Sequence, residues 1–420
     1  MVLGVAILTA GLAACTSSDV SEPTTPTEPT PSVVAPRVDD RVLRIGVLLP
    51  ASGEGASIGE SELAGIQAAV ALAKSNGGIN GQPVDLIIRD EGSDAVAAGV
   101  SLQDLIDSNV DVIIGPASST TAIELMPIIV QAGIAACSPS ASALALDDFP
   151  DDGLFFRTIP SDSLQAEAMA DVIEQTGETS ASIAYVDDGY GRPFETALEA
   201  ALRRRGIEVT AAVGFAVDDS DFAPEAIRVA AAGDGAIALI GDRDAGSQVL
   251  VALAQAIGGE ARNIVVNDTL RQPLSIGLLS AIKSATRERI LGVSPSVRTD
   301  NSVLLGQIST EDPNASGLFA TQAFDCANLF MIAAEQTAST DAHMLAAVIP
   351  ELSTGGLACV SFAECKRLIG QGRNIDYDGP SGRLSIGSDG DPSSAVYDEF
   401  SFDATGRDVS GDSLQVTSSG

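Results

Sequence analysis

The stretches Val110-Asp111-Val112-Ile113-Ile114-Gly115 and Gly235-Ala236-Ile237-Ala238-Leu239-Ile240-Gly241 decide the fold. Each is a short, nearly unbroken apolar run closed by glycine, the pattern of a strand buried on both faces in a parallel sheet. Working outward, the spacing predicts further strands at Leu43 to Leu49, Val84 to Arg89, Ala181 to Val186, Val209 to Phe215 and Ile264 to Val266. Between them lie helical patterns at Ser61 to Ser75, Ala95 to Asp107, Asp162 to Gln175, Pro193 to Arg205, Phe222 to Ala232 and Ala245 to Ile257. This alternation predicts doubly wound α/β lobes. About 380 residues follow position 39, enough chain for two lobes with separate cores.

The chain carries 57 acidic and 23 basic residues, a formal charge of -34 spread along its length. No basic surface can neutralise phosphates, so nucleic acid is excluded as a partner. The acidity reads first as a soluble, self-repelling exterior. The pairs Asp147-Asp148 and Asp151-Asp152 lack the ligand spacing of a calcium loop. No metal or cofactor is expected. An enzyme is not expected either: His343 is the sole histidine, and no GxSxG, HExxH, CxxC or Walker sequence occurs.

The amino-terminal run Val2 to Ala14 is too short to span a bilayer and reads as a signal-peptide core. Its end, Leu12-Ala13-Ala14-Cys15, resembles a bacterial lipobox, which would make Cys15 the lipidated residue and place the protein on the outer face of the cell membrane. No Lys or Arg precedes the run, a departure from the usual signal. Residues 16–40 are rich in Ser, Thr, Pro and Glu and are expected to form a disordered tether with a reach on the order of 25 Å. No later stretch has the length of a membrane helix. Of the other cysteines, Cys359 and Cys365 are close in sequence. Ser361-Phe362-Ala363-Glu364 reads as a capping box, so a helix starts between them, the chain can turn, and a Cys359–Cys365 disulfide is expected in an exported protein. Cys137 and Cys326 read as small core residues.

In doubly wound sheets ligands bind beyond the carboxyl ends of the strands, so the residues just after each strand carry the functional signal. Gly53, Gly55 and Gly59 fit a dinucleotide fingerprint only loosely. Ser118, Ser119, Thr120 and Thr121 stand at a helix N-terminus, where hydroxyls and free N–H groups suit a carboxylate, although the same residues could simply cap the helix. Cys137-Ser138-Pro139-Ser140-Ala141-Ser142 offers a second set of hydroxyls and amides.

Seven segments in order, RIGVLLPASG, NGGINGQPVDLIIRDEGSD, DVIIGPASS, ACSPSAS, FFRTIPSD, YVDDGYGRPF and NIDYDGPSGRL, resemble the extracellular binding proteins of branched-chain amino acid ABC transporters, the leucine/isoleucine/valine-binding type. The resemblance covers nearly the whole chain after residue 42. It implies a type 1 periplasmic-binding fold whose two lobes, 42–160 plus 292–395 and 161–291 plus 396–420, are joined by three crossings, the first at Arg157 to Asp162. It further implies that Ser119, Ser140 and Ser142 bind the carboxylate and ammonium of an amino acid, that Tyr190 closes over it and that Asp268 holds the ammonium. Ile58 stands where some members carry an aromatic, and Arg243 or Asp244 where a Tyr is frequent. The implied ligand is a small aliphatic amino acid, and the implied partners are an ABC transporter permease and the membrane, through the lipid anchor. A ligand sensor of the same fold, binding an amide, urea or another small polar solute and signalling through a partner protein, is the alternative. The absence of Trp and a 4% aromatic content disfavour sugars and quaternary ammonium ligands.

Overall fold

The computed structural model describes residues 40–53, 55–271, 281–296, 306, 317–403 and 408–417. Cys15 and the expected tether up to residue 39 lie outside the described residues. The first sheet contains β1 (Arg44–Leu49), β2 (Asp85–Asp90), β3 (Val112–Ile114), β4 (Ala135–Ser138) and β5 (Phe155–Arg157), all parallel, in the order β2-β1-β3-β4-β5. The apolar run that opened the sequence reading is β3, and alternate residues serve opposite faces. Val112 and Ile114 pack under α1 (Ala56–Ser75) and a later helix, whereas Ile113 packs with α2 (Ala95–Asp107) and α3 (Ser119–Gln131). Fully burying one such side chain is worth about 1.5–3 kcal/mol, which is why these runs become central strands.

The second sheet contains parallel strands β6 (Ser180–Val186), β7 (Glu208–Phe215), β8 (Ala236–Ile240), β9 (Ile264–Val266) and β10 (Ile290–Pro295). Two antiparallel strands that follow much later in the chain extend it at one edge. With β11 (Leu357–Cys359) and β12 (Ile375–Tyr377) forming a separate small ladder, these are β13 (Ser394–Phe402) and β14 (Asp408–Thr417), giving the order β14-β13-β10-β9-β8-β6-β7. Helices α4 (Asp162–Gln175) and α5 (Gly191–Arg204) cover one face, and α6 (Ala223–Ala231) and α7 (Arg243–Ala256) the other. After the short α8 (Ser284–Arg287), three helices return to the first sheet: α9 (Ala320–Thr337), α10 (Ala342–Leu352) and α11 (Phe362–Ile369).

The chain therefore passes between the sheets three times, at 158–161, between Pro295 and Ala320, and between Tyr377 and Ser394. The expected return at residue 292 falls inside β10, which pairs Gly292 with Val266 on one side and with Phe400 on the other. Gly292 is small because the Phe400 ring lies against it, and this Gly disguises the strand in the sequence. The second return likewise comes at Ser394 rather than 396.

Two further expectations are corrected. Helix α1 starts at Ala56 rather than Ser61, so Gly59 lies inside it, where a Cβ would fall on the Pro50 carbonyl. The glycine-rich segment thus serves packing. Cys137 and Cys326 are not free thiols: β4 and α9 face each other across one core, and the two residues join in a disulfide with a Cα–Cα distance of 5.7 Å. Cys359 and Cys365 form a second disulfide at 5.4 Å, with Ser361 capping α11 between them.

Candidate functional site

In both sheets the strand order reverses between two strands whose carboxyl ends open onto the same cleft: β1 and β3 in the first, β6 and β8 in the second. Such switch points are where open α/β sheets leave room for a ligand. The cleft has a volume of about 540 Å³, on the scale of a small metabolite. From the first sheet it is lined by Ile58 after β1, Glu91 and Asp94 after β2, Ser119 at the start of α3, and Ser140 and Ser142 after β4. The second sheet contributes Asp188 and Tyr190 after β6, Val217 after β7, Asp242 after β8, and Asp268 and Thr269 after β9. All five residues expected to meet a ligand, Ser119, Ser140, Ser142, Tyr190 and Asp268, thus stand around one cavity. The side chains of Arg243 and Asp244 lie outside the described residues. His343 is exposed near the start of α10 and does not line the cleft.

On the first-sheet side the hydroxyls are largely engaged in holding two loops together. Ser118 caps α3 through the Thr121 N–H at 3.4 Å, and Ser140 Oγ donates to the Ala117 carbonyl at 3.0 Å. Ser119 Oγ accepts from the Ala143 N–H at 3.2 Å, which leaves its own proton available to a ligand, since a hydroxyl donates once and accepts twice. Ser138 Oγ donates to the Pro116 carbonyl at 2.6 Å and accepts from the Ala141 N–H at 2.9 Å, bracing the same junction.

The amides preceding α3 are not free, in contrast to the expectation. Ala117 N–H and Ser118 N–H donate to the two carboxyl oxygens of Glu91, at 2.7 and 3.0 Å. Glu91 is 1% exposed, and burial pushes its pKa up to about 7 against the pull of those two amides and the Thr121 hydroxyl. Behind it, Glu62 of α1 is fully buried with neither carboxyl oxygen hydrogen bonded. Burial raises its pKa well above the ordinary range; the Ser140 hydroxyl opposes the shift and the Glu91 charge adds to it. The Ser119 and Thr120 amides remain in the first helical turn, where the helix supplies no acceptor of its own.

Across the cleft, Asn267 is fully buried and fixes the exits of β8 and β9 by accepting from Gly241 N–H and donating to the Gly241 carbonyl, both at 3.0 Å. It also donates to Tyr190 Oη at 3.0 Å, leaving the tyrosine proton to point elsewhere. Burial, followed by the charges of Asp162 and Asp268, raises the Tyr190 pKa well above its ordinary value, so the phenol is neutral. Asp268 is 4% exposed, and burial pushes its pKa up to about 6, opposed chiefly by a hydrogen bond from Gln165.

The sequence reading missed Asp162, the first residue of α4. It is fully buried, and neither carboxyl oxygen has a hydrogen-bond partner among the described residues. Burial raises its pKa well above the ordinary range; the charge of Asp268 adds to this and the Ser142 hydroxyl opposes it. Two carboxyls thus lie near one another with two phenols, Tyr190 and Tyr397, beside them, and the charges of Arg157 and Arg271 pull the Asp162 and Asp268 pKa values down without outweighing burial. Buried carboxyls of this kind demand either a proton or a cationic partner.

The family model described as "Periplasmic binding protein" matches residues 42–286. The chain belongs to the periplasmic binding protein family. Its fold is the type 1 periplasmic-binding fold. A chemotactic signal transduction system substrate-binding protein, BasB, from Halobacterium salinarum is 26% identical over 368 residues, 81% of this chain and 83% of that protein. The branched-chain amino acid transporter substrate-binding protein LivJ of Streptococcus pneumoniae, solved with isoleucine, superposes with a TM-score of 0.72 at 20% identity, covering 90% of this chain and 100% of that one. A solute-binding protein of an ABC transporter from Rhodopseudomonas palustris, solved with p-hydroxybenzoic acid, gives 0.74 at 19% identity, over 90% and 98%. Members of this family act outside the cytoplasm as solute-binding proteins rather than enzymes.

Proposed function

We propose that this periplasmic binding protein captures an amino acid between its two sheets and delivers it to an ABC transporter permease, held at the membrane by a lipid on Cys15. The observation that carries this reading is the Asp162–Asp268 pair, buried beside Tyr190 with the Asp162 oxygens not hydrogen bonded, facing a serine-lined helix N-terminus across the cleft. An α-ammonium would sit between the carboxyls, and an α-carboxylate would take the Ser119 and Ser142 hydroxyls with the first-turn amides of α3. Contacts to both sheets favour the arrangement in which the lobes close on the ligand, the state a permease can distinguish from the empty one.

Thermal shift over the twenty amino acids, short amides, urea and hydroxybenzoates tests the reading, because a ligand that binds only the folded state raises Tm. An amino acid is expected to give the largest shift; a shift confined to aromatic acids would refute the headgroup assignment. Cys15→Ser, expressed with a full signal, should release the protein from membranes, and unchanged association would refute the anchor. A sensor role is a second reading, favoured by the similarity to the chemotactic protein BasB. A permease and an ATPase encoded beside the gene support transport; a membrane signalling protein there supports sensing.

A further inference from the structure

We infer that the cleft selects a ligand with two positive charges, an amino acid bearing a basic side chain rather than a branched aliphatic one. This rests on the amino-acid reading above and goes on to name the side chain. Among the described residues that line the cleft none is Lys, Arg or His, whereas six carboxyl groups do line it: Glu91, Asp94, Glu124, Asp188, Asp242 and Asp268. The independent observation is Asp162, fully buried with neither carboxyl oxygen hydrogen bonded, which lies just behind the cleft lining with Ser142, Tyr190 and Asp268 as neighbours on the cleft side and Arg157 on the other.

A branched-chain zwitterion fits this inventory poorly. Its single ammonium meets the Asp162–Asp268 pair, and its carboxylate must approach a helix N-terminus whose preceding amides already serve the buried Glu91. Nothing in such a ligand answers the more exposed carboxylates. Asp94 caps α2 and Asp188 accepts from the Tyr190 and Gly191 amides, so their charge is held in place at the cleft wall. Glu124 lies one turn into α3, exposed on the cleft side. A second cation at the end of a methylene chain would meet this group, while the chain itself packs on Ile58, Val217 and Phe319, as the stems of Lys and Arg do elsewhere. A metal ion is the poorer occupant, since no group of three or more potential ligands is disposed to hold one among the described residues.

Calorimetry of the purified full-length protein with lysine, ornithine, arginine, leucine, isoleucine and cadaverine tests the inference. At least one basic amino acid should bind about tenfold or more tightly than leucine. That preference should shrink at high salt and in Glu124→Gln, a substitution on an exposed helix face that spares the fold. Leucine or isoleucine binding as tightly as the best basic amino acid overturns the inference and leaves the amino-acid reading intact. Cadaverine binding without any amino acid keeps the two-charge inference and overturns the amino-acid reading. Binding of none of the six overturns both.

Discussion

Replacing Asp268 by Asn should move the stability of the empty protein and its affinity for ligand in opposite directions. Burial pushes the Asp268 carboxyl from 3.8 to about 6. Two units correspond to about 3 kcal/mol, the cost of keeping the charged form in the empty cleft at neutral pH. The sign follows from proton counting: between 3.8 and about 6 the folded protein binds more protons than the unfolded chain, so this stability is complete below 3.8 and lost as pH rises through about 6. Asparagine has the same shape and no charge. At pH 7.5 Asp268→Asn should therefore be more stable than wild type by up to about 3 kcal/mol without ligand, and the gain should vanish near pH 4. With ligand the variant leaves a buried ammonium short of a partner, a loss of about 2–5 kcal/mol. That is roughly thirtyfold to several thousandfold in Kd. Urea denaturation of the empty protein and calorimetry with the best amino acid give the two numbers. A variant that loses stability and keeps its affinity would assign Asp268 to the scaffold and refute the site.

Three other outcomes are expected. The Cys137–Cys326 disulfide spans 189 residues and Cys359–Cys365 spans 6, so chain entropy assigns about 5 and about 2 kcal/mol to them; urea titrations of the two Cys→Ala pairs should rank them in that order, and non-reduced peptide mapping should recover both cross-links. Arg157→Met strands the Asp391 carboxylate and should cost about 3–5 kcal/mol, more than Asp391→Asn, which leaves Arg157 its Asp147 partner; urea titrations showing equal or reversed losses would refute this. Glu91→Gln should flatten the pH dependence of stability: with the folded pKa at about 7 and the ordinary value at 4.5, wild type loses about 3 kcal/mol as pH rises from 4.5 to 8.5, and denaturation series at the two pH values should show the variant losing that much less.

The central strands were legible because their physics is local. Val112–Ile114 and Ala236–Ile240 are wholly buried, and a run of apolar residues closed by glycine has few other fates. Strand β10 was not legible as such, since Gly292 and Pro295 look like turn residues until the Phe400 ring and the β13 pairing are supplied by chain a hundred residues away. The five residues proposed to meet the ligand came from the resemblance, and the rule that function follows a strand's carboxyl end points to the same places. Glu91 obeys that rule at the end of β2 and could have been found by it. Asp162 could not: at the first position of a helix an Asp reads as a favourable dipole partner, and only the fold shows that it is enclosed with Asp268. The Cys137–Cys326 pairing depends on α9 lying over β4, a contact that no sequence spacing encodes; the even number of cysteines after Cys15 was the available hint.

Site and hinge are one connected structure through Arg157, which is fully buried at the end of β5, where the first crossing begins. Its Nε donates to Asp391 on the third crossing at 2.6 Å, and it is also ion-paired to Asp147 at 2.6 Å. Burial opposes the guanidinium charge, but the carboxylates of Asp391 and Asp147 outweigh it and keep the group protonated. From the same guanidinium, donors reach the Ala143 and Ala141 carbonyls at 3.1 and 3.4 Å, on either side of Ser142. The Asp162 N–H then donates to the Ser142 carbonyl at 2.9 Å, and the Ser161 hydroxyl to Asp147 at 2.9 Å. Two of the three crossings and the serine loop thus share one cation, so movement at the crossings cannot leave Ser142 and Asp162 where they are. Asp162 and Asp268 stand beside this assembly, and burial favours the protonated form of Asp162 next to the Asp268 carboxyl in the empty protein. An ammonium bound as proposed would change the electrostatics beside the first crossing as well as bridge the two lobes, which is the differential interaction that a ligand-driven population shift requires.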